Sequence, residues 1–266
     1  MAFLQCEFHS DVLGRACSMN VLIPQKAATQ IGMDSAGASG RAEYPVLYLL
    51  HGLSDNHSIW MRRTSIERYA AAYGLVVVMP SGERGFYTDM AAGYRYWTML
   101  SEELPQIVRN LFPVSAKREE TFAAGLSMGG YGALKLALRC PERFAGAVAL
   151  SPVTDPRGWF EGHERYGMRE ELERIFGSAE RIVSNGDDLF TLSDRLMKSD
   201  APKPRLMQVC GSEDGLLPEN HRFRDHMRRI GYPDYRYVED AGTHNWEFWD
   251  HYIQDGLRFL LGEREK

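Results

Sequence analysis

The 266-residue sequence has few of the residues that stabilise disulfide-bonded or zinc-binding proteins. It contains only four cysteines, Cys6, Cys17, Cys140 and Cys210, and no Cys-x-x-Cys pair. Disulfide frameworks and zinc sites normally need closer and more regular cysteine spacing. We therefore expect four reduced, structural thiols and no metal site.

Long apolar runs and a large excess of one charge are also lacking. No apolar stretch reaches the roughly 18 residues that cross a bilayer, and the first residues lack the basic-then-apolar order of a signal peptide. The formal net charge is −5 and the pI is near 5.9, which argues against nucleic-acid or anionic-membrane binding. The composition predicts a globular, cytoplasmic protein with neither of these partners.

Short apolar runs alternate with helical patterns through much of the chain. Val46–Leu50 is apolar at every position, as in a strand that is covered on both faces of a parallel sheet. The other predicted strands are Phe3–His9, Cys17–Pro24, Leu75–Met79, Thr121–Gly125, Phe144–Leu150, Arg205–Cys210 and Tyr235–Val238. The predicted helices are Ile59–Tyr73, Met99–Leu111, Gly129–Arg139, Glu219–Ile230 and Trp246–Leu261. This alternation predicts an α/β fold, with a mostly parallel sheet, helices on both faces and ligands at the carboxyl ends of the strands.

One long stretch interrupts the alternation. About fifty residues between Ser151 and Pro204 have only weak helical periods. An excursion of that length, from the end of one strand to the start of the next, is typical of a cap over a site. We expect residues 1–266 to form a single domain with a cap insertion at about 152–203.

The most informative motif is Gly125-x-Ser127-x-Gly129, which directly follows a predicted strand and precedes a predicted helix. In that context the turn is sharp and lifts the serine hydroxyl clear of the sheet, while the glycines avoid collisions with strand and helix. The helix N-terminus supplies N–H groups that stabilise an oxyanion. The motif predicts Ser127 as a nucleophile and the Met128 N–H as an oxyanion donor.

A serine nucleophile needs a base and an acid that orients the base. Asp214 and His244 each follow a predicted strand, in the Ser, Asp, His order of this fold. Glu213, next to Asp214, is an alternative acid. Other histidines are expected to be structural or at the surface, and those in the charged helical segment to be solvated. They are His9, His163, His221, His226 and His251.

A second oxyanion donor is predicted in the loop after Val46–Leu50. Gly52 lets the backbone approach the substrate, and the Leu53 N–H is the candidate donor. His51 is expected to hold this loop by hydrogen bonds. A further loop, Ser81–Tyr87, is expected to line either the pocket or an interface. The candidate substrate contacts are His51, Gly52, Trp97, Trp159 and Trp246.

Taken together, these motifs resemble the esterase D family of α/β-hydrolases, especially its tributyrin-esterase branch. The resemblance runs from about Leu4 to Leu261. It rests on His51–Asn56, Trp60, Gly125–Ala133, Gly211-x-x-Asp214, Gly242-x-His244-x-Trp246 and Trp249. It implies the α/β-hydrolase fold and a serine carboxylesterase for short acyl chains, acting on small-molecule esters without metal or organic cofactor. It also implies a homodimer or a homotetramer.

The same family includes other activities that stay open. Carbohydrate acetyl esterases and feruloyl esterases belong to it, and Trp159, Phe160 and Tyr166 could either stack on an aromatic acid or form the core of the cap. S-formylglutathione hydrolases carry a Cys-containing segment in place of His51-Gly52, which this sequence lacks. An acyltransferase and a non-catalytic binding protein of the same fold are alternatives from other classes.

Overall fold

The computed structural model describes residues 1–26, 29, 31, 41–161 and 168–262. The strands are β1 Ala2–Ser10, β2 Arg15–Ile23, β3 Val46–Leu50, β4 Val76–Pro80, β5 Thr121–Leu126, β6 Gly146–Leu150, β7 Arg205–Gly211 and β8 Tyr235–Asp240. They form an eight-stranded sheet in the order β1-β2-β4-β3-β5-β6-β7-β8. β2 is antiparallel to β1 and β4, and the pairs from β4 to β8 are parallel. The predicted mostly parallel sheet is confirmed.

Helices cover both faces of this sheet. They are α1 Ile59–Arg63, α2 Ile66–Ala71, α3 Tyr96–Thr98, α4 Leu104–Leu111, α5 Met128–Arg139, α6 Pro156–Glu161, α7 Arg169–Phe176, α8 Ala179–Ser184, α9 Leu189–Met197, α10 Leu217–Arg229 and α11 Trp246–Leu261. One core lies between the sheet and the α4, α5 and α10 face, and the other lies under α1, α2 and α11. Every residue of β3, β4 and β6 is therefore buried, as the unbroken apolar run in β3 predicted.

Two predicted helices differ from the structure. The helix expected over Ile59–Tyr73 is divided into α1 and α2, because Thr64 is extended and its hydroxyl donates to the Trp60 carbonyl at 2.6 Å. A threonine hydroxyl that bonds the backbone in this way competes with the helical ladder. The helix expected over Met99–Leu111 begins earlier, at Tyr96, and passes through a π-helical turn at Met99–Glu103 before α4.

Residues 151–204, which we call the β6–β7 segment, contain more regular structure than their weak periodicity indicated. Their described part forms α6, α7, α8 and α9. The segment is fixed to α5 by polar contacts: the Tyr131 hydroxyl donates to the Asp187 carbonyl at 2.7 Å, and the fully buried Lys135 forms an ion pair with the Asp187 carboxylate.

Several smaller expectations have definite outcomes. All four cysteines are free, and three of them are buried. His221 bonds Glu239 at a half-exposed position, whereas His226 is buried and bonds the Ser193 hydroxyl at 3.0 Å. The solvated position predicted for His226 is therefore wrong, because its side of α10 packs against α9. His163 lies outside the described residues. In the part of the chain that is described, no helix is long and apolar enough to cross a membrane.

Candidate active site

Ser127 lies at the turn between β5 and α5, with φ 53° and ψ −119°. A non-glycine residue rarely adopts positive φ, and here the strain is held by the flanking hydrogen bonds. The Ser127 N–H donates to the Leu150 carbonyl at 2.8 Å, and the Ser127 carbonyl accepts from the Tyr131 N–H at 3.1 Å. The strained turn directs the serine out of the sheet at the carboxyl end of β5.

The glycines of the motif allow backbone to pack on backbone. A Cβ atom on Gly125 would lie 2.3 Å from the Gly129 carbonyl oxygen, and one on Gly129 would lie 2.3 Å from the Leu50 carbonyl oxygen. Neither position can accept a side chain without moving a strand or the helix. The close approach of α5 to β3 and β5 therefore fixes the height of Ser127 above the sheet.

His244 and Asp214 come together from the loops after β8 and β7. His244 Nδ1 lies 2.8 Å from Asp214 Oδ2, and the Asp214 side chain is fully buried. Because a carboxylate can only accept, Nδ1 carries the proton and Nε2 remains an acceptor. Burial raises the pKa of Asp214, but hydrogen bonds from His244 and the Leu216 N–H, together with the nearby Ser151 hydroxyl, outweigh it and lower the pKa below its usual value.

Trp249 packs against the histidine. The rings of His244 and Trp249 are 4.8 Å apart and nearly perpendicular, at 88°. The Trp249 Nε1–H donates to the Ser151 hydroxyl at 3.1 Å, which fixes the indole. The imidazole is therefore oriented by a hydrogen bond on one atom and by an aromatic contact on its ring.

Ser127 and His244 line one cavity of ≈ 310 Å³. Its lining consists mainly of apolar side chains. The lining residues are Leu53, Phe86, Ser127, Met128, Val153, Trp159, Met168, Asp214, Gly215, Leu216 and His244. Among the described residues, the hydrogen bond of the His244 ring is the one to Asp214, and none joins the ring to the Ser127 hydroxyl. Serine–histidine contacts are often long before a substrate binds.

The two predicted oxyanion donors lie at the same cavity. Met128 is the first residue of α5, so its N–H has no acceptor within the helix. Leu53 lines the cavity from the loop after β3. This loop passes close to the nucleophile turn, since a Cβ on Gly52 would lie 2.7 Å from the Leu126 side chain and 3.8 Å from Ser127 Cβ. Glycine at position 52 thus permits the close approach.

His51 supports this loop from below. It is buried, its Nδ1 lies 2.7 Å from the Gly52 carbonyl, and its Nε2 accepts from the Gly82 N–H at 2.9 Å. Burial lowers the pKa of His51 to about 4, so the ring is neutral at neutral pH. His51 and Gly52 hold and shape the loop, and neither is among the described residues that line the cavity.

Two further predicted substrate contacts, Trp97 and Trp246, are not among the described residues that line this cavity. Trp97 is buried away from the cavity, where Lys135 Nζ lies 4.5 Å and the Arg139 guanidinium 4.6 Å from the centre of its ring. Trp246 packs edge-to-face on Trp60 and Trp249 and supports the histidine loop from behind. Both indoles therefore pack on structural partners, and most of these, Lys135 and Arg139 for Trp97 and Trp60 for Trp246, lie far away in the sequence.

The sequence did not single out several residues that line the cavity. Val153, Met168 and Leu216 are ordinary apolar residues, and no local motif marks them. Phe86, in the loop left open between pocket and interface, lines the cavity with φ 49°. Trp159, one of the candidate substrate contacts, lines the cavity, whereas Tyr166 lies outside the described residues.

The described residues contain no group of three or more His, Cys, Asp or Glu side chains placed to hold a metal ion. The chemistry that the arrangement can support is acyl transfer to a serine. A strained serine, a histidine that bonds a buried carboxylate, and the residues Leu53 and Met128 line one apolar cavity.

Residues 10–260 match the protein family described as "Putative esterase". An acetyl esterase of Caldicellulosiruptor saccharolyticus is 30% identical over 98% of both chains. The chain belongs to the esterase D family. It is therefore a serine esterase with the α/β-hydrolase fold, a carboxylic ester hydrolase that acts on small esters.

Two solved structures from Staphylococcus aureus are similar along nearly the whole chain. A fluorophosphonate-binding serine hydrolase, solved with substrate bound, has a TM-score of 0.86 and 31% identity, covering 98% of this chain and 99% of that one. An S-formylglutathione hydrolase has a TM-score of 0.82 and 32% identity over 98% of each.

Proposed function

We propose that Ser127, His244 and Asp214 are the catalytic triad of an esterase for short acyl chains, with the Leu53 and Met128 N–H groups as oxyanion donors. The observation that carries the proposal is the 2.8 Å contact between His244 and the buried Asp214 at a cavity that Ser127 also lines. Glu213 is the weaker choice of acid, because its side chain is exposed while Asp214 bonds the imidazole.

The first half of the reaction transfers the acyl group to the enzyme. His244 Nε2 removes the proton from the Ser127 hydroxyl as the oxygen attacks the ester carbonyl. The tetrahedral oxyanion accepts hydrogen bonds from the Leu53 and Met128 N–H groups, and each donor of this kind is worth about 3 kcal/mol. Asp214 stabilises the imidazolium, which then protonates the departing alcohol.

The second half releases the acid. Water enters the position of the alcohol, His244 removes one of its protons, and the resulting hydroxide attacks the acyl-enzyme carbonyl. Collapse of the second tetrahedral intermediate expels Ser127, which regains its proton from His244. No step needs a metal or an organic cofactor.

The apolar lining of the cavity supports an uncharged acyl group. Its ≈ 310 Å³ are enclosed by Phe86, Val153, Trp159, Met168 and other apolar side chains. An acetyl ester is the first candidate, because the similar protein from Caldicellulosiruptor saccharolyticus is an acetyl esterase. We propose further that the chain is one domain in which residues 152–203 cap this cavity.

An ester panel tests this proposal. We expect kcat/KM for p-nitrophenyl esters to be highest between acetate and butyrate and to fall towards octanoate, and Ser127→Ala to remove activity on all of them. Equal or faster turnover of octanoate or methyl ferulate would contradict the proposed acyl preference. Product analysis with an added alcohol separates hydrolysis from acyl transfer.

S-formylglutathione hydrolysis is the second candidate, since a hydrolase of that kind matches this chain with a TM-score of 0.82. Formylglutathione should therefore be included in the panel. Turnover well above that of p-nitrophenyl acetate would favour the thioester.

The proposal also includes the location of the protein and its oligomeric state. The four free thiols fit a cytoplasmic location, and the resemblance to the family supports a homodimer or homotetramer.

A further inference from the structure

A buried carboxylate on α10 holds one wall of the cavity. Glu219 is 1% exposed, and both of its carboxylate oxygens accept hydrogen bonds from the β6–β7 segment. Oε2 accepts from the Trp159 indole N–H at 2.8 Å, and Oε1 accepts from the Thr154 backbone N–H at 2.9 Å. The Glu219 backbone carbonyl accepts from the Thr154 hydroxyl, also at 2.9 Å.

Trp159 depends on this carboxylate for its position. It lies on α6, a helix of six residues, which is too short to be stable without tertiary contacts. Its ring packs edge-to-face on Phe86 at 6.0 Å, and both rings line the cavity. Because the acceptor is a carboxylate, the bond to the indole N–H is roughly twice as strong as one between neutral groups.

The same part of α10 also holds the turn that carries the catalytic acid. The Asn220 side-chain amide donates to the carbonyls of Leu216 and Pro152, at 2.9 Å each. Leu216 lines the cavity, and its N–H bonds Asp214. Glu219 and Asn220 therefore join the start of the β6–β7 segment to the loop that orients His244.

We propose that Glu219 is a positioning residue that sets the acyl-chain length the esterase accepts, by fixing Trp159 as a wall of the cavity. This inference rests on the proposed function, because it assumes that the acyl group occupies this cavity. Without the carboxylate, the partly buried indole N–H loses its charged acceptor, and the ring moves to regain a partner. The wall then recedes and longer acyl chains fit.

A second contact between the same elements provides a matched control. Asp155, just before α6, pairs with Arg222 of α10 at 2.9 Å. The Arg222 side chain is 53% exposed, so this ion pair adds little to the position of α6. Arg222→Ala removes a contact between the segment and α10 without touching the cavity wall.

The experiment compares kcat/KM for p-nitrophenyl octanoate with that for the acetate in four variants. Trp159→Ala should raise the octanoate-to-acetate ratio by roughly tenfold or more, since one or two methylene groups in an apolar pocket are worth that much. Glu219→Ala should raise it by a similar factor. Glu219→Gln should restore part of the selectivity, because its single carbonyl oxygen can serve Trp159 or Thr154 but not both. Arg222→Ala should leave the ratio within about twofold of the wild type.

A Glu219→Ala protein that is folded and keeps the wild-type ratio would overturn the inference. If that variant does not fold, replacement of Trp159 by 3-benzothienyl-alanine decides, because this residue keeps a two-ring side chain of nearly the same shape and lacks the N–H donor to Glu219. A raised ratio in that protein supports the proposal, and an unchanged one contradicts it. Fluorophosphonate labelling of Ser127 separates failure of the proposed triad from failure of the proposed role of Glu219. Absence of labelling in the wild type refutes the triad. Normal labelling with an unchanged octanoate-to-acetate ratio refutes only the role of Glu219.

Discussion

The two sides of the cavity are held in different ways. On the side of the sheet, Ser127 and Met128 are fixed by backbone packing, with α5 so close to β3 and β5 that even a Cβ on Gly129 would collide. On the side of the β6–β7 segment, Trp159 is fixed by one carboxylate, and the rest of the segment by further side-chain contacts such as Lys135–Asp187.

This difference matches what each side contributes. Catalysis needs its groups within roughly 0.5 Å of the productive geometry, which a hydrogen-bonded sheet provides. The wall needs only a shape, so a few exchangeable side-chain contacts are sufficient. Selectivity for the acyl group can therefore change in the segment while the triad stays as it is.

The largest expected effect is on the side of the sheet. Asp214→Asn should lower kcat by about 10⁴, because an amide no longer holds His244 in the tautomer that accepts the serine proton. Glu213→Gln is the matched control, and we expect it to keep activity within about twofold, as for most exposed substitutions. Steady-state kinetics on p-nitrophenyl acetate measures both. A larger loss in Glu213→Gln than in Asp214→Asn would assign the acid to Glu213.

The second-largest effect is expected at the buried ion pair between Lys135 of α5 and Asp187 of the β6–β7 segment. Lys135→Met should lower the free energy of unfolding by about 3–5 kcal/mol, because it removes the nearest cation from the buried Asp187 carboxylate and leaves only the more distant Arg139, at 3.8 Å. Replacing both residues, in Lys135→Met/Asp187→Leu, should recover most of that loss. Urea denaturation followed by circular dichroism measures the change. An unchanged midpoint in the single variant would mean that the segment does not depend on this ion pair.

The third effect is a pH dependence of stability, which we expect from His51 on the sheet side of the cavity. Its folded pKa of about 4 lies below the unfolded value of 6.5, so the unfolded chain binds more protons between these pH values. The contribution to stability is present above pH 6.5 and is lost as the pH falls towards 4, by roughly 3 kcal/mol in total. His51→Gln should have a flatter stability profile in this range, measured by urea denaturation at several pH values. Parallel profiles for the two proteins would contradict the assignment.

The smallest effect is expected at the exposed contact between the Ser81–Tyr87 loop and α7. Arg84 pairs with both oxygens of Glu171, at 2.5 and 2.6 Å, but its side chain is 52% exposed. Arg84→Gln should therefore change the free energy of unfolding by less than about 1 kcal/mol and leave kcat/KM unaltered. A clear loss of activity would show that this surface contact orders the cavity, and the contrast between the two sides would be weaker.

The sequence predicted the residues on the sheet side of the cavity better than those on the side of the β6–β7 segment. The turn at Ser127 was predictable because its signal is local: glycines at fixed spacing between an apolar strand and a helix. Asp214 and His244 could be chosen because each follows a strand that ends at the same edge of the sheet.

Residues of the other side could not be assigned in this way. The sequence near Trp97 and Trp159 does not show which of them lines the cavity. In the fold, Lys135 packs on the Trp97 ring, whereas the Trp159 N–H bonds Glu219 beside the cavity. The buried position of His226 likewise depends on α9, an element with weak sequence periodicity. Contacts between side chains far apart in the sequence leave no local pattern.

The central claim is that Ser127 is the nucleophile that His244 and Asp214 activate. The most direct test is to treat the protein with a fluorophosphonate and locate the adduct by peptide mass spectrometry. The account predicts one phosphonylated residue, Ser127, with no adduct in Ser127→Ala and slow labelling in Asp214→Asn. An adduct on another residue, or undiminished labelling of Ser127→Ala, would contradict it.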